Sequence, residues 1–377
     1  MTRDAFIPVN EPLLNGNEKK YLNECIDTGG ISSERPFVAK FEQSMAAIAG
    51  RRHGIAVCNG TAALEAAVAA LELEPGDEIL MPAFTIISCA AAIIRRGCVP
   101  VLIDSDPITW NMDVSQVAEK ITGRTKAIMA VHIYGLPVDM DPVLEIAAKH
   151  GLMIIEDAAE MHGQSYKGRP CGSFGDISTF SFYPNKLIST GEGGMILTND
   201  DKLAERCRSL RNLCFQKKRF VHEELGFNFR MTNVQAALGL AQLERIYEFT
   251  ARKRTMGAMY TELLSGVAGL ELPPARTRYA ENIYWVYGLV LKDEVLADAE
   301  EIMFRLGQKN IGTRPFFWPM HKQPVLNKLG LFVGERYPTA ERLSARGFYI
   351  PSGLGLTDEQ ITLSAERVKE VINECLC

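Results

Sequence analysis

The sequence predicts an α/β fold: a large, doubly wound, mostly parallel sheet domain followed by a smaller α+β C-terminal domain. Three observations predict it. Short apolar runs alternate with helical segments from Gly54 to Ile155, the spacing of strand–helix–strand units. Polar residues (Asn59, Thr61, Thr85, His132 and Asp157) fall just after the ends of those runs, where open α/β sheets bind ligands. Past a long helix predicted from Thr232 to Arg254 or beyond, the pattern loses its regular alternation. The division expected is residues 1–250, a large domain with an N-terminal arm, and residues 251–377, a small domain.

The 377 residues are 47% hydrophobic and 23% charged, an ordinary balance for a globular protein large enough for two cores. A net charge of −5 gives no field favouring nucleic acid or an anionic membrane. The nine cysteines are scattered, with no CxxC pair and only Cys375 and Cys377 close together. They read as reduced thiols, not a disulfide framework or metal site. The N-terminal residues lack an apolar signal core, and the most apolar window, Ile79 to Ile94, contains Pro82 and falls short of the ~20 residues of a spanning helix. A cytoplasmic protein is expected.

The elements follow in order. Asn17 to Thr28 is a polar helix, and Phe37 to Ala49 an amphipathic one. Gly54 to Cys58 is a strand running into Asn59-Gly60-Thr61 and an Ala-rich helix from Ala62 to Leu71. A strand, a glycine turn and a helix start leave free N–H groups and a positive dipole end, which suit a phosphate. The same pattern also suits a plain capped helix. Glu78 to Met81, Val99 to Asp104, Lys126 to Val131 and Gly151 to Ile155 are further strands. Helices Ser88 to Arg96 and Met140 to His150 lie between them. The last strand leads into Glu156-Asp157-Ala158-Ala159-Glu160.

Thr179 to Gly194 then gives two extended pieces joined by a loop that carries one lysine, Lys186. Taken alone, Lys186 reads as a solvated surface charge. Held near the buried end of a sheet, a lysine loses hydration and its neutral amine becomes a nucleophile. A helix from Asp200 to Leu213 and a basic segment, Lys217 to Arg219, come next; the latter suits a solvated loop or a phosphate contact. The second part comprises a strand from Ile283 to Leu291, a helix from Ala299 to Gln308, a Pro- and aromatic-rich stretch from Arg314 to His321, and a closing helix from Thr357 to Leu376.

A lysine loop, an acid at a strand end and a phosphate-type turn are the parts a pyridoxal 5'-phosphate site needs. In that combination the chain resembles the DegT/DnrJ/EryC1/StrS sugar aminotransferases, pyridoxal phosphate enzymes of fold type I. The resemblance runs along nearly the whole chain. It rests on Asn59-Gly60-Thr61-Ala62, Glu156 to Glu160, Ser181-Phe182 with Lys186, Gly191-Glu192-Gly193-Gly194 and Gly226 to Thr232. It implies Lys186 as the Schiff-base lysine and proton carrier, and Asp157 as partner of the cofactor's ring nitrogen. Glu160 lies near the ring hydroxyl, where relatives often have Gln. Gly60, Thr61 and Ser181 hold the phosphate. Asn228 reaches the cofactor of a neighbouring subunit, so a homodimer is expected. Ile86 and Tyr183 depart from the family pattern, where relatives often carry an aromatic residue and a histidine.

Within the family, Pro107 to Asp113, Lys126 to Pro142, Met231 to Arg245, Arg314-Pro315 and Met320-His321 resemble members that aminate C4 of a GDP-linked keto-deoxy sugar. The expected substrates are therefore L-glutamate and a nucleotide-linked keto sugar. Arg230, Arg314 and His321 are candidate contacts to a carboxylate or diphosphate; a structural ion pair is the alternative for each. A lyase on the same cofactor and a non-catalytic regulator are the competing classes. The intact Lys186 and Asp157 argue against the second.

Overall fold

The computed structural model describes residues 5–218 and 220–376. The N-terminal part carries helices α1 (Glu18–Asp27) and α2 (Pro36–Ile48), strand β1 (His53–Val57), helix α3 (Gly60–Ala70), strand β2 (Glu78–Pro82), helix α4 (Ile87–Arg95) and strand β3 (Val99–Ile103). Strand β4 (Thr125–Val131), helix α5 (Met140–His150) and strand β5 (Met153–Asp157) follow. A small hairpin, β6 (Ser165–Tyr166) and β7 (Arg169–Pro170), precedes β8 (Ile177–Ser181), β9 (Gly194–Thr198) and helices α6 (Asp201–Arg211), α7 (Asn233–Leu243) and α8 (Ile246–Leu264).

Seven of these strands form one sheet in the order β1-β9-β8-β5-β4-β2-β3. The pairs β3–β2, β2–β4, β4–β5 and β5–β8 are parallel, and β9 runs antiparallel to both of its neighbours. The sheet is therefore mixed and mostly parallel, as expected. Its strands read as nearly continuous apolar runs because both faces are covered. Alternate residues serve opposite cores. Ile55, Ile79, Met81 and Met129 face the layer of α3, α4 and α6, while Ala56, Leu80, Ile128 and Leu197 face the layer of α2, α5 and α7.

The remainder builds a second sheet from β10 (Leu270–Glu271), β11 (Tyr287–Leu291), β12 (Arg314–Pro315) and β13 (Gly347–Ile350), all antiparallel in the order β10-β11-β13-β12. Helices α9 (Ala299–Gln308), α10 (Pro324–Lys328), α11 (Pro338–Arg346) and α12 (Asp358–Glu374) accompany it. Its core joins β11 and β13 to the later part of α8, to α9 and to α12, and takes in Ile7 from the N-terminal arm.

Two expectations are corrected. The helix expected from Thr232 to Arg254 or beyond is two helices, α7 and α8, broken at Glu244 and Arg245. No proline or glycine breaks it. Tertiary bonds do: Gln242 donates to the Leu13 carbonyl at 2.9 Å, Glu244 accepts from Asn17 and Tyr21, and Arg245 donates to Asn15. These bonds fasten the N-terminal arm to the break. The strand expected from Ile283 begins only at Tyr287. Tyr284 takes a positive φ of 48°, its N–H donating to the Asn282 side chain at 2.7 Å, and the turn diverts Trp285 from the sheet register.

That turn rests on Gly135, which has φ +110°. A Cβ there would stand 2.6 Å from the Tyr284 nitrogen and 2.7 Å from that of Trp285, so only glycine fits. Gly135→Ala is expected to destabilise the protein by about 1–3 kcal/mol. A lowered thermal midpoint and altered tryptophan emission would report it.

Candidate active site

The carboxyl ends of β1, β2, β4, β5 and β8 open onto one cavity of about 850 Å³. Its walls include Gly60, Thr61, Thr85, His132, Asp157, Glu160, Ser181 and Lys186. The polar residues predicted after separate strands therefore converge.

Lys186 is fixed by its loop. Phe182 donates to the Gly193 carbonyl at 2.8 Å, Thr190 to the Phe182 carbonyl at 2.9 Å, and the Lys186 N–H to the Tyr183 carbonyl at 2.8 Å. The glycines thus close the loop back onto β8. The Lys186 side chain is 11% exposed, with Nζ 3.5 Å from Glu160 Oε1. The ring centroid of Trp285 lies 3.8 Å from the same nitrogen. Glu160 accepts the Tyr134 N–H through Oε2 at 2.7 Å. Burial lifts its carboxyl to about 7, outweighing the attraction of Lys186.

Asp157 closes β5 and is buried. Its Oδ1 accepts the Ala159 N–H at 3.1 Å, and its Oδ2 faces the Cys89 thiol at 3.4 Å. Burial raises its carboxyl above the ordinary range, against these donors and against Lys186 and His132. His132 accepts the Val138 N–H on Nδ1 at 3.0 Å, so its proton sits on Nε2 and is donated to Glu156 at 3.0 Å. Glu156 also accepts the N–H groups of Gly172 and Phe174. His132 and Glu156 therefore spend their ligating atoms on the fold.

The opposite end of the cavity is built for an anion. Asn59, extended at φ −166°, caps α3 by accepting the Ala62 N–H at 2.8 Å. The Ala63 N–H goes to the Asn59 carbonyl. The first-turn N–H groups of Gly60 and Thr61 remain for a ligand. Gly60 is required because Ser181 presses against it; a Cβ would lie 2.7 Å from the Ser181 Cβ. The Thr61 hydroxyl meets that of Ser88 at 2.9 Å, and Ser88 stands in the first turn of α4.

Other predicted residues lie elsewhere. Asn228 is exposed and bridges to Asn212. Arg230 donates to Asn212 Oδ1 at 2.7 Å. Arg314 is exposed and donates to the Thr313 carbonyl. His321 is buried and bonds Glu341 at 3.1 Å, beside Lys322 and Arg336. None of the four lines the cavity. Lys217 and Lys218 are exposed, and Arg219 lies outside the described residues. Ile86 and Tyr183 both line the cavity, half exposed.

Residues not singled out from the sequence complete the walls: Ser88, and Trp285, Phe317 and Tyr349 from the second part of the chain. Ser88 is an ordinary first-turn serine until Thr61 is placed beside it. The aromatic residues carried a compositional signal only in the Arg314 to His321 stretch.

These features suit a phosphorylated pyridine aldehyde. The α3 start offers unspent donors to a phosphate. Asp157 is a desolvated carboxyl without a cation in bonding contact, as a protonated ring nitrogen requires. Lys186 offers the amine for an aldehyde. Such a cavity on a doubly wound sheet defines a lysine-dependent pyridoxal phosphate enzyme.

Comparison with known proteins narrows the class. The DegT/DnrJ/EryC1/StrS aminotransferase family matches residues 12–369, and the chain belongs to that family of pyridoxal phosphate-dependent aminotransferases. GDP-perosamine synthase of Escherichia coli O157:H7 is 40% identical over 370 residues, 98% of this chain and 99% of that protein. GDP-perosamine synthase of Caulobacter vibrioides is 42% identical over 356 residues, 94% of this chain and 95% of that protein. The aminotransferase TlmJ from Streptoalloteichus hindustanus superposes with a TM-score of 0.90 at 29% identity, covering 98% of this chain and 99% of that one.

The raised carboxyl of Glu160 makes stability depend on pH. Folded Glu160 keeps its proton to about 7, whereas the unfolded chain releases it near the ordinary glutamate value of 4.5. The stability of the cofactor-free protein should therefore fall as pH rises through that window, by at most about 3 kcal/mol. Glu160→Gln should remove this dependence. Thermal melts of both proteins from pH 5 to pH 8 check it; curves that stay parallel contradict it.

Proposed function

We propose that the protein is a sugar aminotransferase that uses pyridoxal 5'-phosphate. It moves the amino group of L-glutamate to C4 of a GDP-linked 4-keto-6-deoxymannose, as in the synthesis of GDP-perosamine for a surface polysaccharide, and it works as a homodimer. The observation that carries this reading is the convergence of Lys186, Asp157 and the α3 N-terminus on one cavity. The substrate is inferred from the two GDP-perosamine synthases, about 40% identical along nearly the full chain.

When bound, the cofactor supplies an electron sink next to the carbon that loses and regains a proton. The residues have distinct tasks. Lys186 would hold the cofactor through its amine and, when freed by glutamate, would shuttle a proton as an ammonium between the substrate carbon and the cofactor carbon in each half of the cycle. Asp157 pairs with the ring nitrogen and keeps it protonated. Glu160, 3.5 Å from Lys186 Nζ and able to steady it, would face the ring hydroxyl. Gly60, Thr61 and Ser181 hold the phosphate. Asn228, exposed on its loop, serves the cofactor of the neighbouring subunit. Arg314 has its guanidinium exposed and is the freest of the three candidate substrate cations. Arg230 and His321 would have to leave Asn212 and Glu341 to take that part.

The second reading keeps the chemistry and changes the sugar: a UDP- or dTDP-linked keto sugar, or one without a nucleotide. Incubation with glutamate and a panel of such acceptors, followed through 2-oxoglutarate, separates the two. The GDP-linked 4-keto sugar is expected to be aminated. Activity confined to non-sugar acceptors, or amino acid consumed with no acceptor, would overturn the assignment. Lys186→Ala should lower turnover by at least about 10²–10⁴-fold, the range of a lost general base. Single-turnover rates with each substrate measure this loss.

A further inference from the structure

Trp285 puts its ring under the amine of Lys186, and the chemistry proposed for the site gives it no task. The Nζ atom lies 3.8 Å from the centroid of its ring, inside the range of a cation–π contact. Trp285 is 4% exposed, and the Lys186 side chain is nearly as dry. Such contacts strengthen where water is excluded. Among the described residues, Trp285 is the only tryptophan with a cation over its ring; Trp110 and Trp318 have none.

Trp285 is held through both its side chain and its backbone. Its Nε1–H donates to the Asn185 carbonyl at 2.8 Å, next to Lys186 in the lysine loop. Its own carbonyl accepts from Lys253 Nζ at 2.7 Å, a buried amine on α8 that also bonds the Ser352 carbonyl. Tyr134 packs near it, with centroids 5.9 Å apart. The ring is therefore fixed relative to the lysine loop by a hydrogen bond to that loop. The carboxyl beside Nζ is that of Glu160, with Oε1 at 3.5 Å.

We propose that the face of Trp285 is the seat of the Lys186 ammonium whenever the lysine is not joined to the cofactor. The inference rests on Lys186 being the cofactor lysine. An aminotransferase frees its lysine in every cycle. The freed amine takes a proton from the donor carbon, becomes a cation, and passes the proton to the cofactor carbon that keeps the amino group; with the keto sugar bound it takes that proton up again and delivers it to the acceptor carbon. During each transfer the lysine is a cation whose side chain is only 11% exposed. The indole face attracts it without accepting its proton, so the proton stays available. Glu160 alone would offer a competing base.

The contact exists only for the cation, so it has a signed consequence for cofactor binding. Joining pyridoxal phosphate to Lys186 expels water and turns the compact ammonium into a C=N nitrogen, which releases its proton or spreads the remaining charge into the cofactor, so the contact is weakened. Binding pyridoxamine phosphate leaves the ammonium in place and keeps it. Weakening the π face should therefore tighten the binding of pyridoxal phosphate and leave that of pyridoxamine phosphate unchanged. Loss of packing alone would weaken both.

The test replaces tryptophan by tetrafluorotryptophan, which keeps the shape and depletes the electron density of the ring face. Dissociation constants for both cofactor forms are measured by fluorescence or calorimetry. The ratio of the pyridoxal phosphate constant to the pyridoxamine phosphate constant should fall about two- to fivefold. Trp285→Phe, which presents a weaker face, should move the ratio the same way by less, and it cancels packing losses common to both ligands. An unchanged ratio in both proteins would overturn the proposal, as would equal weakening of both ligands. If unsubstituted protein holds no pyridoxal phosphate on Lys186, the functional reading itself fails. If it does and the ratio stays put, only the role of Trp285 fails.

Discussion

The structure turns on keeping one ammonium, that of Lys186, almost out of water. A buried charge is costly unless partners replace its hydration. The partners come from unconnected parts of the chain: Glu160 just beyond β5, and Trp285 from the segment that enters the second sheet. Glu160 is itself desolvated and only partly compensated, which is why its carboxyl sits near 7. Asp157 is in the same condition a few residues earlier. Three ionisable groups, each largely buried, thus share one cavity with an incomplete set of counter-charges. A cationic ring nitrogen and an anionic phosphate would complete that set.

The rest of the fold can be read as support for this arrangement. The parallel strands end together, so Asp157 and Ser181 reach the same cavity from neighbouring strands, and Gly60 follows β1 two strands away. The antiparallel β9 returns the chain under the lysine loop and makes that loop a closed turn. Gly60 lets Ser181 lie against the α3 start, and Gly135 lets the 282–285 turn lie against β4's exit. The second glycine matters because that turn delivers Trp285. The N-terminal arm contributes as well: Asn10 donates to the Asn185 carbonyl at 2.9 Å, sharing this acceptor with Trp285.

Much of the large sheet was legible in the sequence, for a physical reason. Strands buried on both faces are short and uniformly apolar, and the helices between them keep a clear period. The polar residues at strand ends, Asp157 among them, stood out by their shared position, whereas Lys186 gained meaning only beside Asp157 and Thr61. What was missed depends on distant contacts. Nothing local marks the break at Glu244, because it is made by bonds to Asn15, Asn17 and Tyr21 more than 200 residues away. The run from Ile283 looked like one strand because Tyr284 carries no turn signal; its positive φ is imposed by Asn282 and Gly135. Trp285 was hidden inside that apparent strand. β12 and β13 are short, and their pairing partners are remote in sequence.

Every role proposed for the cavity requires that Lys186 carry the cofactor. The direct measurement is to load the purified protein with pyridoxal phosphate, record its visible absorbance, reduce it with borohydride and map the modified peptide by mass spectrometry. A coloured protein with the reduced cofactor on Lys186, and no such adduct in Lys186→Ala, is expected. A protein that stays colourless after loading, or an adduct on any other lysine, would contradict it.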